Sequence, residues 1–529
     1  MTSKTLPLTR HELTNNLSAN TGTGLAASKL AAGHYASAQF PMTVVSPRPD
    51  SETGSFSGTV RAKHRWAYYD GVNLVRYEYP VKVFGGAGPH IYELVSGPTG
   101  MTIGNSRTVS EHGVIKWVPT RAYPTSAPAY VTVRIYGQDI TGYVEITYTI
   151  ATSSSTAQFL FIDNVSGSDS AAGDINAPFL SLAKVTGATS TTTTYPNRTV
   201  YLRGKGVEYA TVAHSDLTYS VGLHATYHPM VILAYPDETV TINFAGGEVR
   251  IKSSDSTFGG SSTAPMIIKG SADLAPETHN FWVDAVSRGM FQWVTFDTFV
   301  PRHIGGWTNP APIFSNSASP TSRQYWVLHG CREINRSNAF ANDAMLHVFF
   351  STNYFVTEYC DASRTTYIGN GGGVQFKDSN FNTSVRYCDY RVLDNRFQYG
   401  FSFSDQNAGG DNEITYSKIQ GSLWFNLQAN INNNTGKHFA GRCSVYTTDT
   451  EAQPAIRAWA SPGPYLAENC VFMSNGPLLV NALITSTGNE CHKANSSGDL
   501  PMLTTDFTLK NSTTQYRSLY LGTRGWEIQ

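Results

Sequence analysis

The sequence predicts an all-β protein whose larger part is a β-solenoid, and three observations predict this fold class. Charged residues make up only 15% of the chain, while Gly and Tyr occur 46 and 29 times, a composition typical of turn-rich β structure. Short alternating runs with Val, Thr, Tyr and Phe recur throughout, and the sequence has no extended helical stripe. Cysteines recur at a step of about 28 residues, which indicates stacked coils of similar length.

The first segment, residues 1–54, carries Ala, Thr, Ser, Gly and Asn with little pattern, which predicts an extended arm rather than an independent domain. Its start, MTSKTLPLTRHELTNN, has no apolar stretch of the kind found in a secretory signal. The sequence also has no run of apolar residues long enough to span a membrane. We therefore expect no signal peptide, no membrane insertion, and an arm that is held by another protein.

Residues 55–151 alternate short strand-like runs with turns, which predicts a β-sandwich. The runs YEL at 92–94, GPTGMT at 97–102, GVIKWVPT at 113–120 and VTV at 131–133 carry a resemblance. With these residues the segment resembles the Ig-like, cadherin-like modules of surface and virion proteins. The resemblance implies a spacer or an adhesin, and we expect Trp117 in the core.

Residues 152–490 begin with a second resemblance, which comes after the polar linker ATSSSTAQ. It is carried by Asp163, by GSD at 167–169, by Gly173, by Pro178-Phe179 and by VYLRG at 200–204. In this order they resemble the entry to pectate-lyase-like right-handed β-helices. The resemblance implies a right-handed parallel β-helix over 152–490, with a short helix that caps the first coil, since stacked strands otherwise expose unpaired backbone groups. Residues 491–529 are then a C-terminal capping segment.

The internal repeat needs no resemblance, because three residue types recur at one step. The rows are Cys331, Cys360, Cys388, Cys443 and Cys470, with Ser417 in the one missing place; Phe349, Phe376 and Phe403; and Asn353, Asn380 and Asn407. Stacking places equivalent residues about 4.8 Å apart. We therefore expect buried, reduced thiols instead of disulfides, and the lack of a C-x-x-C pair argues against a zinc site.

Two pairs of acids are candidate catalytic residues, because glycoside hydrolysis usually needs two carboxylates. Asp378 and Asp405 are one coil apart, and so are Asp361 and Asp389. Like charges this close raise the pKa of one partner, as a general acid requires. The alternative for the first pair is turn capping beside the Asn row.

The candidate substrate-binding residues lie beside these acids or on late coils. They are His329, Glu358, Arg386, Trp424 and Trp459. The first three precede the cysteine row by two positions, while Arg332, Asp361, Asp389 and Lys418 follow it by one. The alternative for these charged sets is charge-compensated ladders on a solvated face, and the alternative for the tryptophans is core packing.

A net charge of −1 gives no basic patch for nucleic acid, and the sequence indicates no cofactor and no metal. Aromatic residues make up 12% and suit stacking on sugar rings. The chain resembles a phage tailspike or related virion spike, which implies a virion location, a homotrimer, a bacterial surface glycan as partner, and contacts with other virion proteins through residues 1–54. Three hypotheses remain: a spike that recognises the glycan, with or without cleaving it as a depolymerase; a structural or adhesive decoration protein; and a secreted polysaccharide lyase or hydrolase.

Overall fold

The structure is a computed structural model, and it describes a large part of the chain. The described residues are 38–47, 65–86, 90–105, 111–137, 142–186, 195, 198–210, 230–243, 249–251, 256–269, 281–284, 289–297, 302–304, 307–309, 313–315, 325–334, 348–350, 353–364, 374–392, 400–420, 423–427, 436–447, 456–459, 465–468, 470–474, 484–487, 489–493 and 507–509. In this part every element but one short helix is a β-strand.

The N-terminal module consists of nine strands. They are β1 (Thr43–Ser46), β2 (Trp66–Tyr68), β3 (Tyr77–Pro80), β4 (Lys82–Phe84), β5 (Ile91–Ser96), β6 (Thr102–Ile103), β7 (Val114–Trp117), β8 (Ala129–Tyr136) and β9 (Tyr143–Ser153). A four-stranded sheet has the order β2-β9-β8-β5, a three-stranded sheet has the order β3-β7-β6, and β1 pairs with β4. Because β1 lies within residues 1–54, the end of the predicted arm is part of this module.

The two larger sheets of the module share one apolar core, which follows from alternation along their strands. In β8, Val131, Val133 and Ile135 are fully buried, and the residues between them face outward. Trp117 of β7 packs into the same core, with its ring 5.5 Å from that of Tyr123. The expectation that Trp117 is a core residue is confirmed. The relation of the module to Ig-like domains remains a prediction.

The rest of the described chain is a parallel β-solenoid, as the cysteine step predicted, together with one antiparallel pair of short strands, Arg302–Ile304 and Trp307–Asn309. Its elements are β10 (Phe159–Ile162), α1 (Ala183–Thr186), β11 (Thr199–Leu202), β12 (Tyr209–Ala210), β13 (Met230–Ala234), β14 (Val240–Asn243), β15 (Val249–Ile251), β16 (Ser256–Gly259), β17 (Met266–Lys269), β18 (Phe281–Asp284), β19 (Gly289–Gln292), β20 (Val294–Asp297), β21 (Arg302–Ile304), β22 (Trp307–Asn309), β23 (Ile313–Ser315), β24 (Trp326–His329), β25 (Arg332–Ile334), β26 (Val348–Phe350), β27 (Asn353–Glu358), β28 (Asp361–Arg364), β29 (Val374–Arg386), β30 (Asp389–Val392), β31 (Phe401–Gly410), β32 (Asn412–Thr415), β33 (Lys418–Gln420), β34 (Leu423–Leu427), β35 (His438–Gly441), β36 (Ser444–Thr447), β37 (Ile456–Trp459), β38 (Tyr465–Glu468), β39 (Val471–Ser474), β40 (Ile484–Thr487), β41 (Asn489–Lys493) and β42 (Phe507–Leu509).

Each regular coil contributes strands to three faces. The 12-stranded sheet β12-β14-β17-β20-β25-β28-β30-β33-β36-β39-β41-β42 forms one face, called here the 12-stranded face. The strands β19, β24, β27, β32, β35 and β38 form the docking face, and β18, β23, β26, β31, β34 and β37 form the third face. The long strand β29 belongs to the last two, because its first half pairs with β26 and its second half with β27.

The cysteine row lies at the corner between the docking face and the 12-stranded face. The five cysteines are buried and carry free thiols, and Ser417 fills the missing place by accepting a hydrogen bond from the Cys388 amide at 3.1 Å. The residue before each row position from Cys331 to Cys443 has a positive φ, for example 56° at Tyr359 and 55° at Tyr387. The left-handed conformation is unfavourable for a tyrosine, and stacking of these two rings at 5.0 Å offsets its cost.

The phenylalanine row is confirmed and the asparagine row is wrong. Phe349, Phe376 and Phe403 are register partners on successive coils, whereas Asn380 pairs with Gly409. The register shifts directly after Asp378, because β31 carries two extra residues there. Position 407 falls into this irregularity.

The entry to the solenoid has the cap that the second resemblance implied. Phe179, Leu182 and Val185 around α1 are buried in the solenoid core cluster. The carboxylate of Asp169 fixes this turn by accepting hydrogen bonds from the Leu180 and Ser181 amides at 3.0 and 2.9 Å. At the other end, β41 and β42 extend the 12-stranded face past the predicted boundary at 490. No helix in the described residues is long and apolar enough to cross a membrane.

The N-terminal module packs on the docking face, and the two share one apolar cluster. Strand β1 contacts β24 and β27, while β4 contacts β27 and β29. The solenoid side of this cluster consists of Met290, Tyr325, Val327, Val356, Tyr359, Tyr387, Tyr416 and Phe439. At the edge of the contact, Arg76 donates two hydrogen bonds to Asp237, at 2.9 and 2.8 Å. The module and the solenoid are therefore joined through a buried interface.

Candidate functional site

The candidate functional site is a row of charged residues on the 12-stranded face. Arg332, Asp361, Asp389 and Lys418 are register partners on β25, β28, β30 and β33. Backbone hydrogen bonds between adjacent strands hold these residues in register; for example, the amide of Asp389 donates to the Cys360 carbonyl at 3.0 Å. The predicted ladder after the cysteine row is thus present, with partners at the interstrand spacing of about 4.8 Å.

Exposure changes along this row. The side chains of Arg332 and Asp361 are 62% and 33% exposed, and Arg332 Nε lies 3.5 Å from Asp361 Oδ2. Asp389 and Lys418 are buried, at 8% and 3%. The row therefore runs from an exposed cation, through two adjacent carboxylates, to a covered cation.

This arrangement can support two kinds of chemistry. The backbones of Asp361 and Asp389 are one interstrand spacing apart, about 4.8 Å, and retaining glycosidases use two carboxylates about 5 Å apart. A cation beside each carboxylate also compensates its charge, which is the structural alternative given above. In either case the exposed members, Arg332 and Asp361, present a donor and an acceptor, which match the hydroxyl groups of a sugar. Among the described residues, no group of three His, Cys, Asp or Glu side chains is placed to hold a metal ion.

The second predicted acid pair lies on the third face. The backbones of Asp378 and Asp405 are register partners on β29 and β31, as the repeat predicted, and the irregularity follows at the next residue. Trp424 of β34 pairs with Arg457 on β37, whereas Trp459 pairs with Asn426. The two tryptophans are therefore two register positions apart on neighbouring strands. The side chains of all four predicted residues lie outside the described part of the structure.

The remaining predicted residues, His329, Glu358 and Arg386, form a second row, but on the docking face. All three are 0% exposed, because the N-terminal module covers them. The ring of His329 lies between those of Trp293 and Tyr359, at 5.2 and 5.7 Å. Side chains covered in this way do not contact a glycan. The predicted substrate-binding role of these three is therefore corrected to a role in the junction.

Arg386 is the centre of this buried ion cluster. Its Nε donates to Glu358 Oε1 at 2.9 Å, and a terminal guanidinium nitrogen donates to Glu413 Oε1 at 3.1 Å. The guanidinium also donates to the carbonyls of Val83 and Gly85 in the module. One side chain of the solenoid thus bonds both to its own neighbouring coils and to the module.

The module supplies the second cation of the cluster. Lys82 is 0% exposed, and its Nζ lies 2.6 Å from Glu358 Oε2 and donates to the His112 carbonyl at 2.8 Å. Together with Arg386, Glu358 and Glu413, it makes a cluster of two cations and two carboxylates. Charges buried this deeply require such compensation, because an unpaired charge in an apolar interior costs several kcal/mol.

The pKa values in the cluster follow from burial and from these partners. Burial alone raises the pKa of Glu358, but Lys82 and Arg386 outweigh it, so that the pKa is lowered. Burial lowers the pKa of Lys82, and Glu358 opposes this only in part. Burial raises the pKa of Glu413 despite the nearby Arg386. The two carboxylates therefore have shifted pKa values of opposite direction although they share one guanidinium.

Sequence reasoning missed Lys82 and Glu413, which complete the cluster. A weak signal was present, because Lys82 stands between two buried valines in the run YPVKVF, where an exposed lysine is not expected. Glu413 had no comparable signal, since the row one coil earlier has Ser384 in its place. Only the packing of a segment about 300 residues away in sequence shows that these positions are covered.

No protein-family model matches the sequence, and no curated protein is similar to it. Among solved structures, the chain is similar to Dex49A from Penicillium minioluteum, at 9% sequence identity and a TM-score of 0.29. The alignment covers 87% of this chain and 80% of that one. This similarity is too distant to assign an activity to the chain.

Proposed function

We propose that this protein recognises bacterial surface polysaccharide through the 12-stranded face of its solenoid. The row Arg332, Asp361, Asp389 and Lys418 carries the proposal, because it places a cation, two carboxylates and a second cation at a fixed spacing on a face distinct from the docking face, with Arg332 and Asp361 exposed. A polysaccharide is itself a periodic polymer of hydroxyl groups, so that successive coils can bind successive sugars. The low charge and the aromatic content of the chain suit such a ligand.

Cleavage of the bound glycan is the finer part of this proposal. Asp361 and Asp389 are adjacent carboxylates of unequal exposure, and hydrolysis would use one as the general acid and the other as the base or nucleophile. The contact between Arg332 and Asp361 favours the second candidate function, a non-catalytic adhesive spike in which the row is a binding ladder.

Together with this function we propose a biological setting. A virion spike of a bacteriophage, assembled as a homotrimer and attached to other virion proteins through residues 1–54, is the setting in which glycan recognition serves host attachment. Sedimentation velocity of the full chain tests the trimer, and a monomer at all concentrations would refute that part alone.

The experiment is a binding and cleavage assay with capsule and lipopolysaccharide from a panel of bacterial hosts. Affinity electrophoresis reports binding, released reducing ends report hydrolysis, and absorbance of unsaturated uronates reports a lyase. We expect Asp361→Asn, at the more exposed carboxylate, to weaken binding about tenfold, the loss of one hydrogen bond to a charged group. Asp297→Asn, on the same face but outside the row, is the matched control.

The same variants also show which face of the solenoid cleaves the glycan. If wild type releases product, loss of product in Asp361→Asn or Asp389→Asn assigns cleavage to the 12-stranded face, whereas loss only in Asp378→Asn or Asp405→Asn assigns it to the third face. Binding without product across the panel leaves the adhesive spike. Failure of the wild type to bind any of these polysaccharides would refute the proposed function.

A further inference from the structure

The outer face of the four-stranded sheet in the N-terminal module carries a set of side chains that the solenoid does not use. Alternation turns Tyr130 and Arg134 of β8 outward, while their neighbours Val131, Val133 and Ile135 enter the core. Tyr130 is 64% exposed, which is unusual for a ring of this size. This face is called here the tyrosine face, and it also includes Thr132 and Tyr136 of β8, Tyr143, Glu145 and Thr147 of β9, and Glu93 of β5.

Two tyrosines sit together at one end of the tyrosine face. Tyr136 and Tyr143 are cross-strand partners with ring centroids 5.5 Å apart and planes tilted by 54°. Tyr143 is 52% exposed, and the guanidinium of Arg134 lies 5.2 Å from its ring centre. The rings are therefore held in place by their neighbours and still open to solvent, which lowers the entropic cost of stacking a ligand on them.

The polar groups of the tyrosine face are held by one another in the same way. Arg134 Nε donates to Glu145 Oε2 at 2.6 Å, and the Tyr136 hydroxyl donates to Glu93 Oε2 at 2.7 Å. Thr132 and Thr147 share a hydrogen bond between their hydroxyls at 3.0 Å. Each group keeps free donor or acceptor capacity, so that the face presents fixed rings beside fixed hydrogen-bonding groups.

The charges and exposed rings of the tyrosine face favour one class of ligand over the others. The one cation among these residues is ion-paired, and Glu93 leaves the set with a net negative charge, so that a nucleic acid or an anionic surface is not favoured. Threonines and charged residues separate Tyr130 from the pair of Tyr136 and Tyr143, so the rings do not form the one apolar patch that a protein partner would use. A neutral sugar polymer offers apolar C–H faces for the rings and hydroxyls for the polar groups.

We propose that the tyrosine face is a second glycan-binding site that takes a neutral, hydroxyl-rich polysaccharide. Tyr130 and Tyr136 are six residues apart on β8, about 20 Å along the strand, which is long enough for several consecutive sugars. The inference rests on the proposed glycan-recognition function and adds to it a site on the module with its own ligand class.

The test uses the full chain and a panel of purified neutral capsular polysaccharides, with a polyuronate as the charged comparison. Affinity electrophoresis gives the dissociation constant for wild type, Tyr143→Ala, Tyr130→Ala and the double variant. We expect each single variant to bind the neutral polymer about tenfold more weakly, and the polyuronate not to compete. Unchanged thermal midpoints show that the variants fold, as exposed positions lead one to expect.

The matched control removes exposed apolar area elsewhere on the module. Val72 and Leu74 are 82% and 72% exposed on the loop between β2 and β3, and Val72→Ala with Leu74→Ala should leave binding unchanged. Equal affinity of wild type and the tyrosine variants would overturn the inference. An equal loss in the control variants would also overturn it, because binding would then follow general surface hydrophobicity.

The solenoid variants separate this inference from the proposed function. Loss of neutral-polymer binding in Tyr143→Ala, with retention in Asp361→Asn, supports the module site independently of the 12-stranded face. Loss in Asp361→Asn with retention in Tyr143→Ala upholds the proposed function and overturns the module site. Conservative Tyr143→Phe should restore stacking, and failure to do so would contradict a role for the ring face.

Discussion

Replacement of Arg386 by methionine removes the centre of the buried junction while keeping an unbranched apolar side chain. The variant loses hydrogen bonds to Glu358, to Glu413 and to the Val83 and Gly85 carbonyls. Removing one partner of a buried ion pair costs about 3–5 kcal/mol, because the remaining charge is left without compensation.

The protonation of Glu413 gives a second estimate of this destabilisation, which has the same magnitude and also predicts how it depends on pH. Without Arg386, Glu413 avoids the burial of its charge by taking up a proton. Neutralising a carboxyl whose unfolded pKa is 4.5 costs about 1.4 kcal/mol per pH unit above that value, or about 3 kcal/mol at pH 7. Because the pKa of Glu413 is higher in the folded state than in the unfolded state, the free energy of unfolding is retained at low pH and decreases as pH rises. The cost of Arg386→Met should therefore be largest near neutral pH and fall by about 3 kcal/mol between pH 7 and pH 5, while the loss of the hydrogen bonds to the two carbonyls remains at both.

The assay is urea unfolding of the full chain, followed by tryptophan fluorescence at about pH 7 and about pH 5. Lys269→Met is the matched control, because Lys269 and Glu208 form a pair of 2.8 Å between side chains that are 39% and 40% exposed. An exposed pair of this kind is worth less than about 1 kcal/mol. The reasoning is refuted if Arg386→Met costs no more than Lys269→Met at neutral pH, or if its cost does not fall on acidification.

Three further predictions concern the same core. Because its cationic neighbours lower the pKa of Glu358, its stabilisation is present above the unfolded value of 4.5 and is lost as pH falls further; the stability gap between wild type and Glu358→Gln should close in acid. Gly85→Ala should weaken the junction by several kcal/mol, since its Cβ would meet a backbone oxygen at 2.4 Å, whereas Gly100→Ala, with equally positive φ but open space, should cost only about 1–2 kcal/mol in urea titrations. In a Cys491→Ser variant, the five row cysteines should resist a thiol reagent until the chain unfolds, and rapid native labelling would contradict their burial.

The stacked rows could be predicted from the sequence because coil length is nearly constant. One coil separates the cysteines, the phenylalanines and the paired acids, and the interstrand hydrogen bonds convert that sequence step into a register. The row at Asn407 failed for a local reason. Two extra residues in β31 shift the register after Asp378, and a periodic pattern contains no signal for where such an irregularity falls.

The faces of the solenoid were not predictable in the same way. The rows through Glu358 and through Asp361 look alike in sequence, since both stack acids beside bases around the cysteine row. The difference between them is which row a distant segment covers. Lys82 and the Val83 and Gly85 carbonyls contribute that information, and their contacts join residues about 300 positions apart. A charged row on a solenoid is therefore a site only if no other part of the chain packs against it.

The buried contact between the module and the docking face also fixes the relative position of the two proposed binding surfaces. If a flexible linker joined the module and the solenoid, a polysaccharide that bound to both would have to order that linker. The entropic cost of ordering it would weaken binding. Here the module shares an apolar cluster with the docking face, and the ion cluster around Arg386 specifies that contact by charge and by hydrogen-bond direction. The tyrosine face and the 12-stranded face thus belong to one folded unit. If one polymer spans both proposed sites, binding energy from each surface adds without a further ordering cost.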